Sequence, residues 1–218
     1  MILTNVIRKL MAIFFQLLYH QFAWMYDFVA WSASLGQWNE WVLTPLPYLK
    51  NGTILELGFG PGHLQRAAFA QGHPVFGLDL SPQMAKIATK RLTKNGYDPR
   101  LTIGDGRNLP FADQSIDQII ATFPTEYFLD PKTLEEANRV LSSEGEIILV
   151  PTAWIQGNNL LHKLMAWVFI ITGQSLEKEH PLFETGKMFI EKFGFEVSMH
   201  SKKLQKSEVF IITARKKG

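Results

Sequence analysis

The sequence predicts an α/β fold: a doubly wound sheet of five parallel strands, extended to seven by a C-terminal antiparallel hairpin, with amphipathic helices before it. Three observations predict this. Strand-like apolar runs alternate with helical patterns five times between residues 53 and 150, as in a parallel sheet wrapped by helices. The first run, Ile54-Leu55-Glu56-Leu57, enters the turn Gly58-Phe59-Gly60-Pro61-Gly62 and then a helix starting near His63. Such glycines permit a tight turn and close approach of backbone to a ligand, and the helix start presents free N–H groups. Finally, the strand-like runs Phe195–Lys203 and Glu208–Ala214 are separated by only four residues, so they should pair as a hairpin.

Taken in order, strand one covers Thr53–Leu57 and its helix His63–Gln71. Strand two, Pro74–Leu78, ends at Asp79; Ser81-Pro82 then supplies an N-cap and a first-turn proline for a helix to about Lys94. Strand three, Arg100–Ile103, ends in Gly104-Asp105-Gly106, and strand four, Ser115–Thr122, in Phe123-Pro124-Thr125-Glu126-Tyr127. Asp130-Pro131 opens the helix Lys132–Leu141, and Ser143-Glu144-Gly145 turns into strand five, Glu146–Val150. Asn39–Lys50, with Pro45 and Pro47, reads as a connector, and a helix over Thr185–Phe193 is stopped by Gly194. The expected division is residues 1–48 as N-terminal helices and connector, and 49–218 as the main domain, carrying an apolar insertion over 151–178.

The 218 residues suffice for a sizeable core. A net charge of +2 gives no argument for nucleic acid as a partner. The absence of cysteine excludes disulfides, thiolate metal sites and a cysteine nucleophile, and no metal site is expected. The hydrophobic content of 46%, with 6 Trp and 16 Phe, is concentrated in residues 1–48 and 153–172. Over residues 1–31, Asn5, Arg8, Lys9, Gln16, His20 and Asp27 fall in one stripe at helical spacing, with Ile2, Leu3, Val6, Leu10, Phe14, Leu18 and Met25 outside it and only Gln21 straying. This is an amphipathic pattern, too interrupted for a transmembrane span. Its broad apolar face fits packing on the domain, packing on a second copy in a homodimer, or a bilayer interface with Trp24, Tyr26 and Trp31 at headgroup level. The expected location is cytoplasmic, peripheral on the inner membrane face in the last case.

In open α/β sheets, ligands sit beyond the carboxyl ends of the strands. Here Glu56, Asp79 and Asp105 end consecutive strands. His63 stands where a dinucleotide fingerprint needs its third glycine, and Glu56 suits an ammonium group better than a pyrophosphate. The pattern E-x-G-x-G-x-G resembles the first motif of class I S-adenosylmethionine-dependent methyltransferases. Further along, Asp105 with Leu109-Pro110-Phe111-Ala112-Asp113-Gln114-Ser115-Ile116-Asp117, and Arg139-Val140-Leu141 followed by Gly145, are similar to runs of the ubiquinone/menaquinone C-methyltransferase branch. So is Tyr26-Asp27 followed by Ser34-Leu35-Gly36 and Trp41. Bacterial phospholipid N-methyltransferases share this grammar and add an N-terminal membrane-binding helix. The resemblance covers about Tyr26 to Val150 and implies a Rossmann-like fold with S-adenosylmethionine as cofactor. Two departures matter. Phe123-Pro124-Thr125-Glu126-Tyr127 stands where the quinone branch carries an Arg-Asn pair, and the N/D-P-P-Y/F motif of DNA and protein amide methyltransferases is absent.

The resemblance implies a cofactor site of Glu56, Gly58, Phe59, Gly60, Gly62, Asp79, Leu80, Met84, Asp105, Gly106, Arg107 and Phe123. Asp79 would accept the ribose hydroxyls, Glu56 would pair with the methionine ammonium directly or through water, and Asp105 would accept the adenine amine. Leu80 and Met84 would contact the adenine faces, and Gly106 and Arg107 would offer backbone groups to the ring nitrogens. Methyl transfer from a sulfonium is an in-line displacement whose leaving thioether needs no acid, so holding acceptor and methyl at about 3–3.5 Å carries most of the rate. Candidates for positioning or proton removal are Tyr26, His63, Glu126 and Tyr127, with Glu126 and Tyr127 favoured because they follow strand four. The expected enzyme transfers a methyl group to a hydrophobic or membrane-associated acceptor, a lipid amine or an isoprenoid or quinone-like compound. The rivals are a soluble small-molecule methyltransferase with its N-terminal helices as lid or dimer interface, and a non-catalytic S-adenosylmethionine-binding partner subunit.

Overall fold

The computed structural model describes residues 25–124, 126–156 and 181–217. Most of the stretch 1–31 and of the insertion 151–178 therefore lies outside the described residues. Elements are numbered over the described chain. Helix α1 (Tyr26–Ala33) and the short α2 (Trp38–Val42) lead through a 3-10 turn (Leu46–Tyr48) into β1 (Ile54–Leu57). Next come α3 (His63–Ala70), β2 (Val75–Asp79), α4 (Pro82–Lys94), β3 (Arg100–Ile103) and β4 (Ile116–Thr122). A second 3-10 turn (Glu126–Leu129) precedes α5 (Pro131–Val140), β5 (Leu141–Ile155), α6 (Pro181–Glu191), β6 (Phe195–Lys203) and β7 (Ser207–Lys216).

The seven strands run in the order β3-β2-β1-β4-β5-β7-β6. β1 to β5 are mutually parallel, and β7 enters antiparallel between β5 and β6. The order reverses at β1, between β2 and β4, which puts the ligand crevice at the β1 carboxyl end. Both sheet faces are covered. Leu55, Leu57, Ile119 and Ile147 share one apolar cluster with α5 and α6, while Ile54, Ile120 and Ile148 share another with α2 and α3. This explains why the central strands read as nearly continuous apolar runs.

The caps expected from sequence are present. Ser81 Oγ accepts the Met84 N–H, and Asp130 Oδ1 accepts the Lys132 N–H, each ahead of a first-turn proline. Two local expectations need correction. The stretch Asn39–Lys50 is largely helical, because Trp41 and Val42 of α2 are buried against the sheet. Strand five begins at Leu141, not Glu146: Leu141 pairs with Ile116 and Glu146 with Gln118, so residues 142–145 bulge out between two paired stretches.

Candidate active site

β1 delivers Glu56 and then the glycine turn to the crevice. Gly58 has φ 73°, and a Cβ placed there would come 2.7 Å from the Tyr127 hydroxyl oxygen, so both the backbone conformation and the neighbour demand glycine. Gly62, at φ 80°, is the N-cap of α3; its Cβ would meet the Ala88 Cβ at 2.9 Å, so its absence lets α3 and α4 approach. The Gly60 N–H donates to Asp79 Oδ2 and the Ser81 N–H to Asp79 Oδ1, each at 2.8 Å. Asp79 thus ties the glycine turn to the end of β2. Burial raises its pKa, and these two backbone hydrogen bonds only partly offset the rise.

A cavity of about 270 Å³ opens over these strand ends. Gly58, Gly60, Asp79 and Leu80 form one side. Asp105, Gly106 and Arg107 continue it from the end of β3. Tyr26, Phe123 and Tyr127 complete the lining, with Tyr127 against Gly58 and Gly106. One site therefore gathers the Gly58, Gly60, Asp79, Leu80, Asp105, Gly106, Arg107, Phe123, Tyr26 and Tyr127 of the sequence analysis. Leu80 is 64% exposed, as suits an apolar lip over a flat ring. Asp105 is held by the guanidinium and backbone N–H of Arg107, and these hydrogen bonds pull its pKa below the usual carboxylate range.

Other candidates stand behind the wall. Met84 is fully buried and packs under α1 with Tyr26. Phe59 is buried over Gly77, where a Cβ would meet its ring at 2.6 Å. Glu56 is 1% exposed, lies beneath the glycine turn and does not line the cavity. Burial pushes its pKa well up; Gln65 opposes the rise and the Asp79 charge adds to it. Glu56 Oε2 and Gln65 Oε1 are both buried without a hydrogen-bond partner. His63 does not line the cavity: its Nε2 lies 2.8 Å from Asp27 Oδ1. Glu126 opens the 3-10 turn next to the cavity, and its side chain lies outside the described residues. The Tyr127 hydroxyl donates to the Leu57 carbonyl at 3.1 Å, so its proton is committed to the tip of β1.

Sequence reasoning missed the aromatic backing of this wall. Phe123 has φ 48°, unusual for a non-glycine residue, and its ring lies 4.7 Å from that of Trp38 and 6.0 Å from that of Trp41. Tyr26 meets Trp38 edge-on at 6.1 Å. No local pattern announces contacts between residues about eighty positions apart. The similarity runs around Leu109–Asp117 and Arg139 have a structural cause. Arg139 donates to the Leu109 and Phe111 carbonyls and to Asp113 and Glu136, and Glu136 accepts the Leu109 N–H at 2.7 Å.

Residues 55–149 match a methyltransferase domain family. The demethylmenaquinone methyltransferase of Thermotoga maritima is 29% identical over 167 residues, covering 72% of this chain and 71% of that protein. The phosphatidylethanolamine N-methyltransferase of Cereibacter sphaeroides is 30% identical over 104 residues, covering 46% of this chain and 51% of that one. Among solved structures, a putative S-adenosylmethionine-dependent methyltransferase of Methanococcus maripaludis superimposes with a TM-score of 0.66, at 19% identity and covering 92% and 94% of the two chains. Residues 55–149 form a methyltransferase domain of the S-adenosylmethionine-dependent kind. The site of this methyltransferase fits the cofactor on its own terms. The Gly58–Gly60 cradle leaves room that a side chain would fill, Asp79 reaches the cavity, and buried Glu56 Oε2 lacks a donor. Among the described residues, no cluster of acids and histidines could hold a metal, and no helix is long and apolar enough to cross a membrane.

Proposed function

We propose that the enzyme methylates a hydrophobic or membrane-associated acceptor, a lipid amine or an isoprenoid or quinone-like compound. The observation that carries this reading is the set of aromatic residues in the cavity lining. Phe123 and Tyr127, which follow β4, line it with Tyr26 of α1, and Trp38 and Trp41 back Phe123. Rings of this kind gain most by covering apolar or cationic surface. Two further facts support it. On the outer face of α1, Phe28 and Trp31 stack at 6.5 Å while 64% and 60% exposed, a disposition suited to an interfacial helix. The relatives named above carry a quinone and a phospholipid in their own names.

Within this reading the cofactor supplies a sulfonium methyl group, and the chain does the rest. Asp79 would take the ribose hydroxyls with lone pairs left over from its two backbone bonds, while Leu80 covers the adenine. Glu56 would act on the ammonium from beneath the turn, through water. Tyr26, Phe123 and Tyr127 would exclude water from the acceptor and align it, which is the main requirement of an in-line displacement. Because the Tyr127 proton is committed to Leu57, Tyr127 serves as a positioning group and not as a base in this arrangement.

The test is S-adenosylhomocysteine production across a panel: phosphatidylethanolamine vesicles, prenylated ring compounds and soluble amines. Turnover only with soluble amines would favour the lid reading, in which the tyrosine that α1 contributes to the cavity is its main function. S-adenosylhomocysteine binding without turnover on any acceptor would favour a partner subunit. Co-sedimentation with anionic liposomes, lost on removing residues 1–22, would support the membrane clause; no sedimentation at low salt would remove it.

A further inference from the structure

Helix α1 brings Tyr26 to the cavity, where it packs with Met84, Val29, Ala30, Ile87 and Trp38. Of its eight residues only Tyr26 is buried, and its N-cap, Met25, makes no side-chain capping bond. Polar contacts from Asp27 add to this attachment. Asp27 Oδ1 lies 2.8 Å from His63 Nε2, and Asp27 Oδ2 accepts from Arg91 Nη2. Arg91 Nη1 in turn donates to the Pro61 carbonyl at 2.6 Å. The guanidinium is 18% exposed and the imidazole 14%, while the Asp27 carboxylate they share is 46% exposed, so the clasp is shielded on the side of its two cationic partners only. It joins α1 to α4 and to the glycine turn at two points, Pro61 and His63. The same turn reaches the strand-end acid through the Gly60–Asp79 bond.

We propose that Asp27 is a positioning residue for the cofactor: it fastens α1 to the glycine turn and α4, and so holds Tyr26 against the cavity. His63 and Arg91 thereby acquire a role as the partners that hold Asp27. The carboxylate also sits in the first turn of α1, where it complements the helix dipole. An amide at this position keeps the shape and loses the charge that both partners seek. A lysine in place of Arg91 keeps the charge but cannot bridge Asp27 and the Pro61 carbonyl with a planar fork. The inference rests on the cofactor assignment and is independent of which acceptor is methylated.

The experiment measures S-adenosylhomocysteine affinity by calorimetry, with thermal melts, on the full chain. The variants are Asp27→Asn, Asp27→Glu, Tyr26→Ala and the Asp27→Asn/Tyr26→Ala double. Asp27→Asn should weaken binding about three- to tenfold. Asp27→Glu should recover most of that loss, and the melting temperature should hardly move. In the Tyr26→Ala background, Asp27→Asn should add almost nothing, because the two residues act as one unit. Unchanged affinity in Asp27→Asn, or an equal loss with and without Tyr26, overturns the proposal. If Asp27→Asn fails to fold, Arg91→Lys takes its place, with the same loss expected and the same dependence on Tyr26. A wild-type chain that binds no S-adenosylhomocysteine overturns the cofactor assignment, and this proposal with it; wild-type binding with an indifferent Asp27 overturns this proposal alone.

Discussion

Replacing Glu56 with glutamine should stabilise the cofactor-free protein while weakening cofactor binding. The carboxylate is buried, its Oε2 lacks a partner, and the nearby Asp79 charge raises its pKa further. A buried polar group left unsatisfied costs about 1–3 kcal/mol, and more when charged. In Glu56→Gln the new amide can donate to Gln65 Oε1, itself buried without a partner, while Gln65 donates back. Recovering about 1–3 kcal/mol in a chain of this length corresponds to about 2–4 °C in Tm per kcal/mol. In the reading proposed above, the same change also removes the carboxyl that would act on the ligand ammonium through water; a charge-assisted interaction of about 1.5–3 kcal/mol corresponds to roughly ten- to hundredfold in S-adenosylhomocysteine affinity. The pH dependence follows from the sign of the shift. A folded pKa above the ordinary 4.5 means that the folded state binds more protons, so stability rises as pH falls through the folded pKa and levels off near 4.5. Asp79, raised from 3.8, acts in the same direction. Melting curves over a pH series, with calorimetric titrations at neutral pH, measure both effects. A cofactor-free Glu56→Gln protein less stable than wild type, or one binding as tightly, would refute the reasoning; so would wild-type stability that fell over that range.

Gly58→Ala forces a side chain into φ 73° and against the Tyr127 hydroxyl, so it should cost about 1–2 kcal/mol in stability and at least as much in cofactor affinity; unchanged melting and binding would contradict this. Asp79→Asn keeps the volume but confronts one backbone N–H, of Gly60 or Ser81, with an amide donor; a loss of about 1.5–3 kcal/mol by chemical unfolding is expected. Arg139→Met removes the hydrogen bonds to the Leu109 and Phe111 carbonyls and to Glu136, and should lower stability by about 2–4 kcal/mol while leaving S-adenosylhomocysteine affinity within about threefold, as the same two assays would show. Phe123→Leu should change which acceptors are used, read as relative kcat/KM across a panel, while cofactor affinity stays near wild type.

Much of the site was legible because local rules wrote it. The glycines, the acids ending β1, β2 and β3, and the Ser81 and Asp130 caps each follow from the chain within a few residues. The hairpin was readable from the four-residue gap between two alternating runs. Less legible was which side of its strand or turn each residue serves. Glu56 and Asp79 both end strands, yet Asp79 faces the cavity and Glu56 lies under the turn, a difference set by α3 packing over β1 and burying Gln65 beside Glu56. His63 looked like a candidate for proton removal from its place after the last glycine, but Asp27, thirty-six positions earlier, engages its Nε2.

By itself, the order of apolar runs, glycines and caps determined the doubly wound sheet, since strand, turn and cap preferences act over a few neighbouring residues, while the cofactor class followed from the resemblance of Glu56–Gly62 to a methyltransferase motif. Only the tertiary structure decided that Phe123 is backed by Trp38 and Trp41, that Met84 and Phe59 are packing residues, and that Asp27, His63 and Arg91 meet. Such contacts form between residues distant in the chain once sheet order and helix packing bring them together, and no local pattern carries that geometry.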